Sequence, residues 1–339
     1  MALPSPRILD PRSVPSLRWG ILGAGWIADV FASTVLANSH QRISAVASLT
    51  PGKAEAFALR HGVTDFESTY SQLVHRDDID AVYVANQPND HQVTALMAIE
   101  AGKHVLIEKP LTHSVIEAHE IFSSARQAGL LSMEAMWTRY LPQTDVARQL
   151  VEAGAIGTPK LIISDFCQDN TAMERMWRKG HGSPMWDMGI YPIALCQMFL
   201  GSPISINAQG LLREDGMDLE STTYLTYPDG ARATFTVSGI VDVPHHALIA
   251  GDEGVLEFGQ PFVLPTSVGM AGKGFDAPMQ VWKDESSIRG HAGLVYQVLA
   301  FADYVSRDLV ESPLQRHDDT LACLGTAAEI LRRIGADAP

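Results

Sequence analysis

A strand that ends in closely spaced glycines and turns at once into a helix leaves a chain few folds to choose from. Residues Trp19-Gly-Ile-Leu-Gly-Ala-Gly-Trp-Ile-Ala28 carry that pattern. Residues 17–22 read as a buried strand and 28–37 as a helix. In the GxGxxA spacing between them, Gly23 permits a tight turn, Gly25 lets a pyrophosphate approach the backbone, and Ala28 allows close helix-to-strand packing. Phosphates are favoured there because the free N–H groups and the dipole of a helix start are positive. Gly23, Gly25, Trp26 and Ile27 are therefore the first candidate cofactor-binding residues. The competing reading is an ordinary glycine turn between strand and helix.

The alternation continues downstream, with strands expected at 43–49, 81–85 and 104–108 and a helix at 53–61, the pattern of βαβ units on a parallel sheet. After Trp137 the pattern changes to longer alternating strands at 160–166, 205–212, 221–227, 231–241 and 247–258. The links Pro228-Asp229-Gly230 and Gly251-Asp252-Glu253-Gly254 are hairpin chemistry, which implies antiparallel order. Helices at 292–306 and 318–334 close the chain. The length, 339 residues, suits two domains at roughly 150 residues each. The expected fold class is α/β: a Rossmann dinucleotide-binding domain over 17–137, then an α+β domain over 138–339 with a large, mainly antiparallel open sheet. Residues 1–16, broken by Pro4, Pro6, Pro11 and Pro15, read as a flexible tail rather than the apolar core of a signal peptide.

Charge narrows the partners. With 25 basic and 39 acidic residues the net charge is −14, a field that repels nucleic-acid backbones and anionic membrane surfaces. No apolar run approaches the roughly 18 residues needed to span a bilayer. Cys167, Cys196 and Cys323 are far apart and form no CxxC pair or zinc-type cluster, so a reducing, cytoplasmic location and no catalytic metal are expected.

At the end of the second expected strand, an NAD-binding unit normally carries an acid for the ribose hydroxyls. Here the stretch is Ala47-Ser-Leu-Thr-Pro-Gly-Lys53, with none. A 2′-phosphate would meet no repulsion, and Ser48, Thr50 and Lys53 are placed to donate to it. This favours NADP, with NAD the alternative. Lys53 also reads simply as a solvated helix residue.

The run His104-Val-Leu-Ile-Glu-Lys-Pro110 resembles the Gfo/Idh/MocA oxidoreductase family, as do Asn86-Gln-Pro-Asn-Asp-His91 and Ile249-Ala-Gly-Asp-Glu-Gly254. Within it, Met133-Glu-Ala-Met-Trp-Thr-Arg-Tyr140 and Trp186-Asp-Met-Gly-Ile-Tyr191 are most similar to the dimeric dihydrodiol dehydrogenase branch, which also oxidises D-xylose with NADP. The glycine-rich run before the aspartate is altered to Gly180-His-Gly-Ser-Pro184, a departure at the rim of the substrate pocket. The resemblance implies that Asn86, Pro88, Glu108 and Lys109 bind the cofactor and that Lys109 faces the nicotinamide and the reacting hydroxyl. It further implies that Trp137 and Arg139 line the substrate cleft with Arg175 and Trp177 opposite, and that the outer face of the C-terminal sheet makes a homodimer.

The residues carry a chemical reading of their own. Lys109 lies just past the carboxyl end of a buried strand, where open α/β sheets place ligands and packing gives no reason for a lysine. Asp187 and Tyr191 stand four apart, on one face if both are helical. Pro192 puts the expected helix start near Met188, so Asp187 is a candidate N-cap, a catalytic residue, or both. A tyrosine with an ordinary pKa of about 10 needs a cation and a helix start to serve as a base near neutrality, and Lys109 is the candidate cation. His91 reads as structural. The expected function is hydride transfer between a nicotinamide cofactor and a hydroxyl or carbonyl of a sugar or cyclic trans-diol, with Tyr191 as general acid/base assisted by Lys109 and Asp187. The alternatives are an anhydro-sugar or keto-sugar reductase and a non-catalytic NAD(P)-sensing regulator. The joint presence of Lys109, Asp187 and Tyr191 argues against the regulator.

Overall fold

In the computed structural model, the described residues are 3–178, 181–274 and 276–336. The chain divides into two compact units. The first comprises Ile8–Trp137 and His291–Leu321; the second comprises Thr138–Gly290 with the residues up to Arg7 and from Ala322 on.

The first stretch runs β1 (Arg18–Leu22), α1 (Trp26–Asn38), β2 (Arg42–Ala47), α2 (Lys53–His61), β3 (Asp65–Glu67) and α3 (Tyr70–Val74). It continues through β4 (Ala81–Val84), α4 (His91–Glu100), β5 (His104–Ile107), α5 (Val115–Ala128) and β6 (Ser132–Glu134). These strands form a six-stranded sheet in the order β3-β2-β1-β4-β5-β6, with every neighbouring pair parallel. Its central strands are buried almost end to end, as a parallel sheet covered by helices on both faces requires. This is a Rossmann fold with the order of a dinucleotide-binding sheet.

The chain goes on through α6 (Pro142–Glu152), β7 (Pro159–Cys167), α7 (Ile190–Leu200), β8 (Ser205–Leu212), β9 (Asp218–Thr226) and β10 (Arg232–Ser238). Next come β11 (Ala247–Gly251), β12 (Gly254–Phe258), β13 (Ser267–Gly272), β14 (Gln280–Lys283), α8 (Leu294–Ser306) and α9 (His317–Ile334). The eight strands from β7 to β14 form one sheet in the order β14-β13-β12-β11-β7-β10-β9-β8, antiparallel except for β7 beside β10. Burial alternates along β10, where Ala233, Phe235 and Val237 are buried, and along β9, where Thr222 and Tyr224 are exposed. One face of this sheet is therefore core and the other open. No helix among the described residues is long and apolar enough to cross a membrane.

Four expectations need correction. Residues 247–258 are not one strand but the hairpin β11–β12, because the Gly251–Gly254 link turns the chain within the stretch. Helix α8 belongs to the first unit: Trp19 on β1 packs against Phe31 at 5.6 Å and Phe301 of α8 at 5.0 Å, so a distant segment completes that core. Asp187 is not an N-cap. It is the third residue of a π-helical turn, Met185–Gly189, that runs straight into α7, and its N–H already donates to Ser183 O at 2.8 Å.

Residues 3–16, expected to be a loose tail, are held down. Val14 is buried, Gln41 Nε2 donates to Pro15 O, and Ser16 Oγ donates to His40 O. Arg7 grips the buried carboxylate of Asp145 through its backbone N–H (2.6 Å), Nε (3.1 Å) and Nη2 (2.9 Å). Prolines bar this segment from making its own hydrogen-bonded element, but side chains elsewhere supply the partners. Burial opposes ionisation of Asp145, yet the bonds from Arg7 and the charge of Arg148 hold its carboxyl below the usual range. A carboxyl depressed in the folded state stabilises above its unfolded pKa of about 3.9, and that stability is lost as pH falls through the lower folded value. Arg7→Ala is expected to cost about 1 kcal/mol near neutrality, a figure limited by the half-exposed guanidinium, and less at pH 3. Thermal unfolding of both proteins at the two pH values measures the difference.

Candidate active site

At the first glycine turn two glycines serve different ends. Gly23 has φ +106°, and a Cβ there would lie 2.7 Å from Ala85 O and 2.8 Å from Asn86 N. Its N–H donates to Ala47 O, so the turn is wedged between the ends of β2 and β4 and admits only glycine. Gly25 has an ordinary φ of −92°, and a Cβ there would meet nothing within 4 Å. The protein does not demand glycine at this place; a phosphate lying on the start of α1 would. Trp26 is exposed, Ile27 is half-buried and Ala28 is fully buried against the sheet.

Beyond β2, Ser48 is buried and its Oγ accepts from Thr50 N, while Thr50 and Lys53 are exposed on the same turn. No carboxylate stands between β2 and α2. Beyond β4, Asn86 Nδ2 donates to Thr94 Oγ1 at 2.8 Å and Pro88 opens a short 3-10 turn. A helix start open to phosphates, with hydroxyls and an ammonium at the next loop, fits a dinucleotide.

The turn after β5 carries Lys109, followed by a cis bond to Pro110. Its polar backbone groups are met by buried side chains. Glu108 accepts from the Tyr83 hydroxyl and from Lys109 N at 3.1 Å; Glu134 accepts from Leu111 N at 2.9 Å and from Gln315 Nε2 at 2.6 Å. His91 Nδ1 faces the carbonyls of Leu111 (3.0 Å) and Pro110 (3.2 Å), and its Nε2 faces Asn86 O (3.3 Å). Burial lowers the pKa of this imidazole; as a neutral ring it donates from one nitrogen only, either to the Pro110 and Leu111 carbonyls or to Asn86 O, while packing between the two loops. Expected as a cofactor residue, Glu108 thus has its carboxylate turned to Tyr83 and the Lys109 amide. Glu134 stands in the sequence motif Met133–Tyr140 but was not singled out, because nothing local marked its partners.

Trp137 is buried and stacks on His291, with centroids 5.7 Å apart and planes at 23°. His291 meets Trp26 edge-on at 5.2 Å and feels the positive charge of Lys109. Sequence reasoning did not single out His291, because it lies 182 residues (291 − 109) beyond Lys109 in a stretch without a motif.

In the second unit, Asp187 and Tyr191 follow one another over a continuous helical run. Arg175 reaches toward Asp187, with Nη2 to Oδ2 at 3.9 Å. The start of the π-helical turn is anchored by buried Asp218, which accepts from Met185 N at 2.9 Å, and burial raises the pKa of that carboxyl. Tyr191 is buried and stacks on Phe166 of β7 at 5.4 Å. It lines a small cavity with Arg139, Thr138, Ala194 and Phe262. Arg139 is itself buried and donates to Ala194 O of α7 at 3.1 Å. Trp177 donates from Nε1 to Asn170 O and packs so tightly over Gly239 that a Cβ there would come within 2.7 Å of the indole. Of the altered glycine-rich run, Gly180 lies outside the described residues.

A phosphate-ready glycine turn and a lysine locked at the carboxyl end of a parallel sheet define an NAD(P)-dependent oxidoreductase of Rossmann type. The chain belongs to the Gfo/Idh/MocA family. The family model described as "Oxidoreductase family, NAD-binding Rossmann fold" matches residues 17–135, and the "GFO/IDH/MocA C-terminal domain" matches 144–257. The trans-1,2-dihydrobenzene-1,2-diol dehydrogenase of Mus musculus is 30% identical over 88% of this chain and 91% of its own length. The protein of that name from Bos taurus is 29% identical over 96% and 98%. Among solved structures, a levoglucosan dehydrogenase in complex with NADH and levoglucosan has a TM-score of 0.85 at 18% identity, covering 96% of this chain and 100% of its own. A 3-ketoreductase from Actinomadura kijaniata, in complex with TDP-benzene and NADP, has a TM-score of 0.77 at 25% identity over 94% and 97%.

The two glycines separate fold from ligand. Gly23→Ala is expected to destabilise the protein by a few kcal/mol through backbone collision and positive φ. Gly25→Val should leave the melting temperature of the free protein within about 2 °C while weakening dinucleotide binding at least tenfold. Thermal unfolding and NADPH fluorescence titration read both effects.

Proposed function

We propose that the protein oxidises a hydroxyl of a sugar or cyclic trans-diol, or reduces the corresponding carbonyl, with NADP as the favoured cofactor. The observation that carries this reading is the turn after β5, where buried carboxylates hold the backbone of Lys109 rigid at the ligand-binding end of the sheet. A structural lysine would not need such a support. The nicotinamide, when bound, supplies the hydride acceptor or donor. Gly23, Gly25, Trp26 and Ile27 hold the pyrophosphate, and Asn86, Pro88 and the Lys109 turn form the adjoining wall. Ser48, Thr50 and Lys53 take the ribose 2′ position, where the absence of an acid favours a phosphate.

Lys109 donates a hydrogen bond to the reacting oxygen and polarises it. Tyr191 removes that oxygen's proton in oxidation and returns it in reduction, and Asp187 orients the tyrosine from the preceding turn. Trp137, Arg139, Arg175 and Trp177 shape the substrate side. The names of the Mus musculus and Bos taurus relatives support a cyclic trans-diol as substrate, and that of the 3-ketoreductase supports carbonyl reduction in the reverse direction. The open sheet face, with Ile163 and Tyr224 exposed, supports a homodimer formed by two such faces. The three buried cysteines, none of them in a disulfide among the described residues, support a cytoplasmic location.

Nicotinamide reduction should be followed with NADP and NAD across D-xylose, D-glucose, other aldoses, inositols and a trans-dihydrodiol. Tyr191→Phe is expected to lower kcat by about 10²–10⁴ with NADPH binding retained, and Lys109→Ala by a similar factor. Near wild-type turnover in Tyr191→Phe would remove Tyr191 from the proton-transfer role. Lys53→Asp is expected to move the ratio of kcat/KM for NADP over NAD toward NAD.

A further inference from the structure

His291 has no place in the machinery proposed above, yet it stands among three of its parts. Its ring lies flat on Trp137 and edge-on to Trp26, so two indoles fix its plane. It belongs to the same unit as Lys109, at the short turn Gly290–Gly293 that leads into α8. Neither ring nitrogen hydrogen-bonds to a protein group among the described residues, and the residue is exposed. Packing around the ring, and then the positive charge of Lys109, lower its pKa. The imidazole is therefore neutral near pH 7, with one nitrogen donating and the other accepting. A phosphate or carboxylate would call for an imidazolium, which Lys109 opposes. A hydroxyl, which both donates and accepts, suits the neutral ring.

We infer that His291 is a specificity-determining substrate residue that hydrogen-bonds a second hydroxyl, adjacent to the one Lys109 polarises. The inference rests on the proposed reading of Lys109. It assigns to His291 the preference for polyhydroxylated substrates over those with fewer hydroxyls, since a site built to bond a hydroxyl discriminates against ligands lacking it.

The test uses the full-length protein loaded with NADP, with His291→Phe, which keeps an aromatic ring between the indoles, and His291→Gln, which restores a donor and an acceptor. His291→Phe is expected to lower the kcat/KM ratio of D-xylose over a trans-dihydrodiol about tenfold, mainly through KM for the sugar. His291→Gln should recover a good part of that ratio. Titration of the variants with NADPH should give affinities close to wild type. An unchanged substrate ratio in His291→Phe overturns the inference, as does a loss confined to NADPH affinity. Absence of turnover in the wild type on every substrate would instead strike the proposed function. In that case the shift of the His291 ring resonance on adding D-xylose to the NADP-loaded protein decides: a saturable shift lost in Lys109→Ala supports the inference, and no shift overturns it.

Discussion

Buried backbone polar groups must find partners, and nowhere does this shape the protein more than at the turn after β5. Glu108 bonds the Lys109 amide, Glu134 bonds the Leu111 amide, and His91 faces the carbonyls of Pro110 and Leu111. The two carboxylates are anchored in turn, Glu108 by Tyr83 and Glu134 by Gln315, and the other nitrogen of His91 faces the carbonyl of Asn86. Removing one would leave a buried group unsatisfied, at a cost of about 1–3 kcal/mol, and would loosen the loop that carries the lysine. The backbone of the Lys109 turn is thus held by strands β4, β5 and β6 together with the segment before α9.

Charge has a similar local logic. At −14 the whole chain repels an anionic dinucleotide, so binding depends on short-range positive features. The first unit offers such features in the start of α1 beside Gly25 and in the exposed Lys53, and the proposed role of Lys109 would add a third. The open helix start contributes without a lysine, because its unpaired N–H groups converge on one place. The second unit carries a different pair, Asp187 on a π-helical turn and Tyr191 on the α-helix that continues it. The extra backbone residue of a π turn resets which side chains share a face, and such turns are frequent at functional sites.

Much of this could be read directly from the chain. The parallel strands announced themselves as short apolar runs, Gly23 and Gly25 by their spacing, and Lys109 by its position just past a strand. What could not be read were outcomes that depend on distant partners. Asp187 looked like a helix cap because Pro192 is tolerated only in a first turn. The π-helical turn Met185–Gly189 instead places the helical run earlier, anchored by Asp218 from another strand. The proline-broken start of the chain looked loose, since nothing local could pair it, yet Asp145 and Gln41 do so from far along the sequence.

Sequence alone determined the Rossmann sheet and the glycine turn between β1 and α1, and it singled out Lys109 and Tyr191 as candidates, because these follow from periodicity, backbone sterics and side-chain chemistry within a few residues. Tertiary structure alone decided that α8 completes the first core against Trp19, that Glu134 supports the Lys109 turn, and that His291 stands between two tryptophans near that lysine. The physical reason is that burial and hydrogen-bond satisfaction are settled by whichever segment arrives at a site, and local pattern carries no record of a partner one hundred or more residues away.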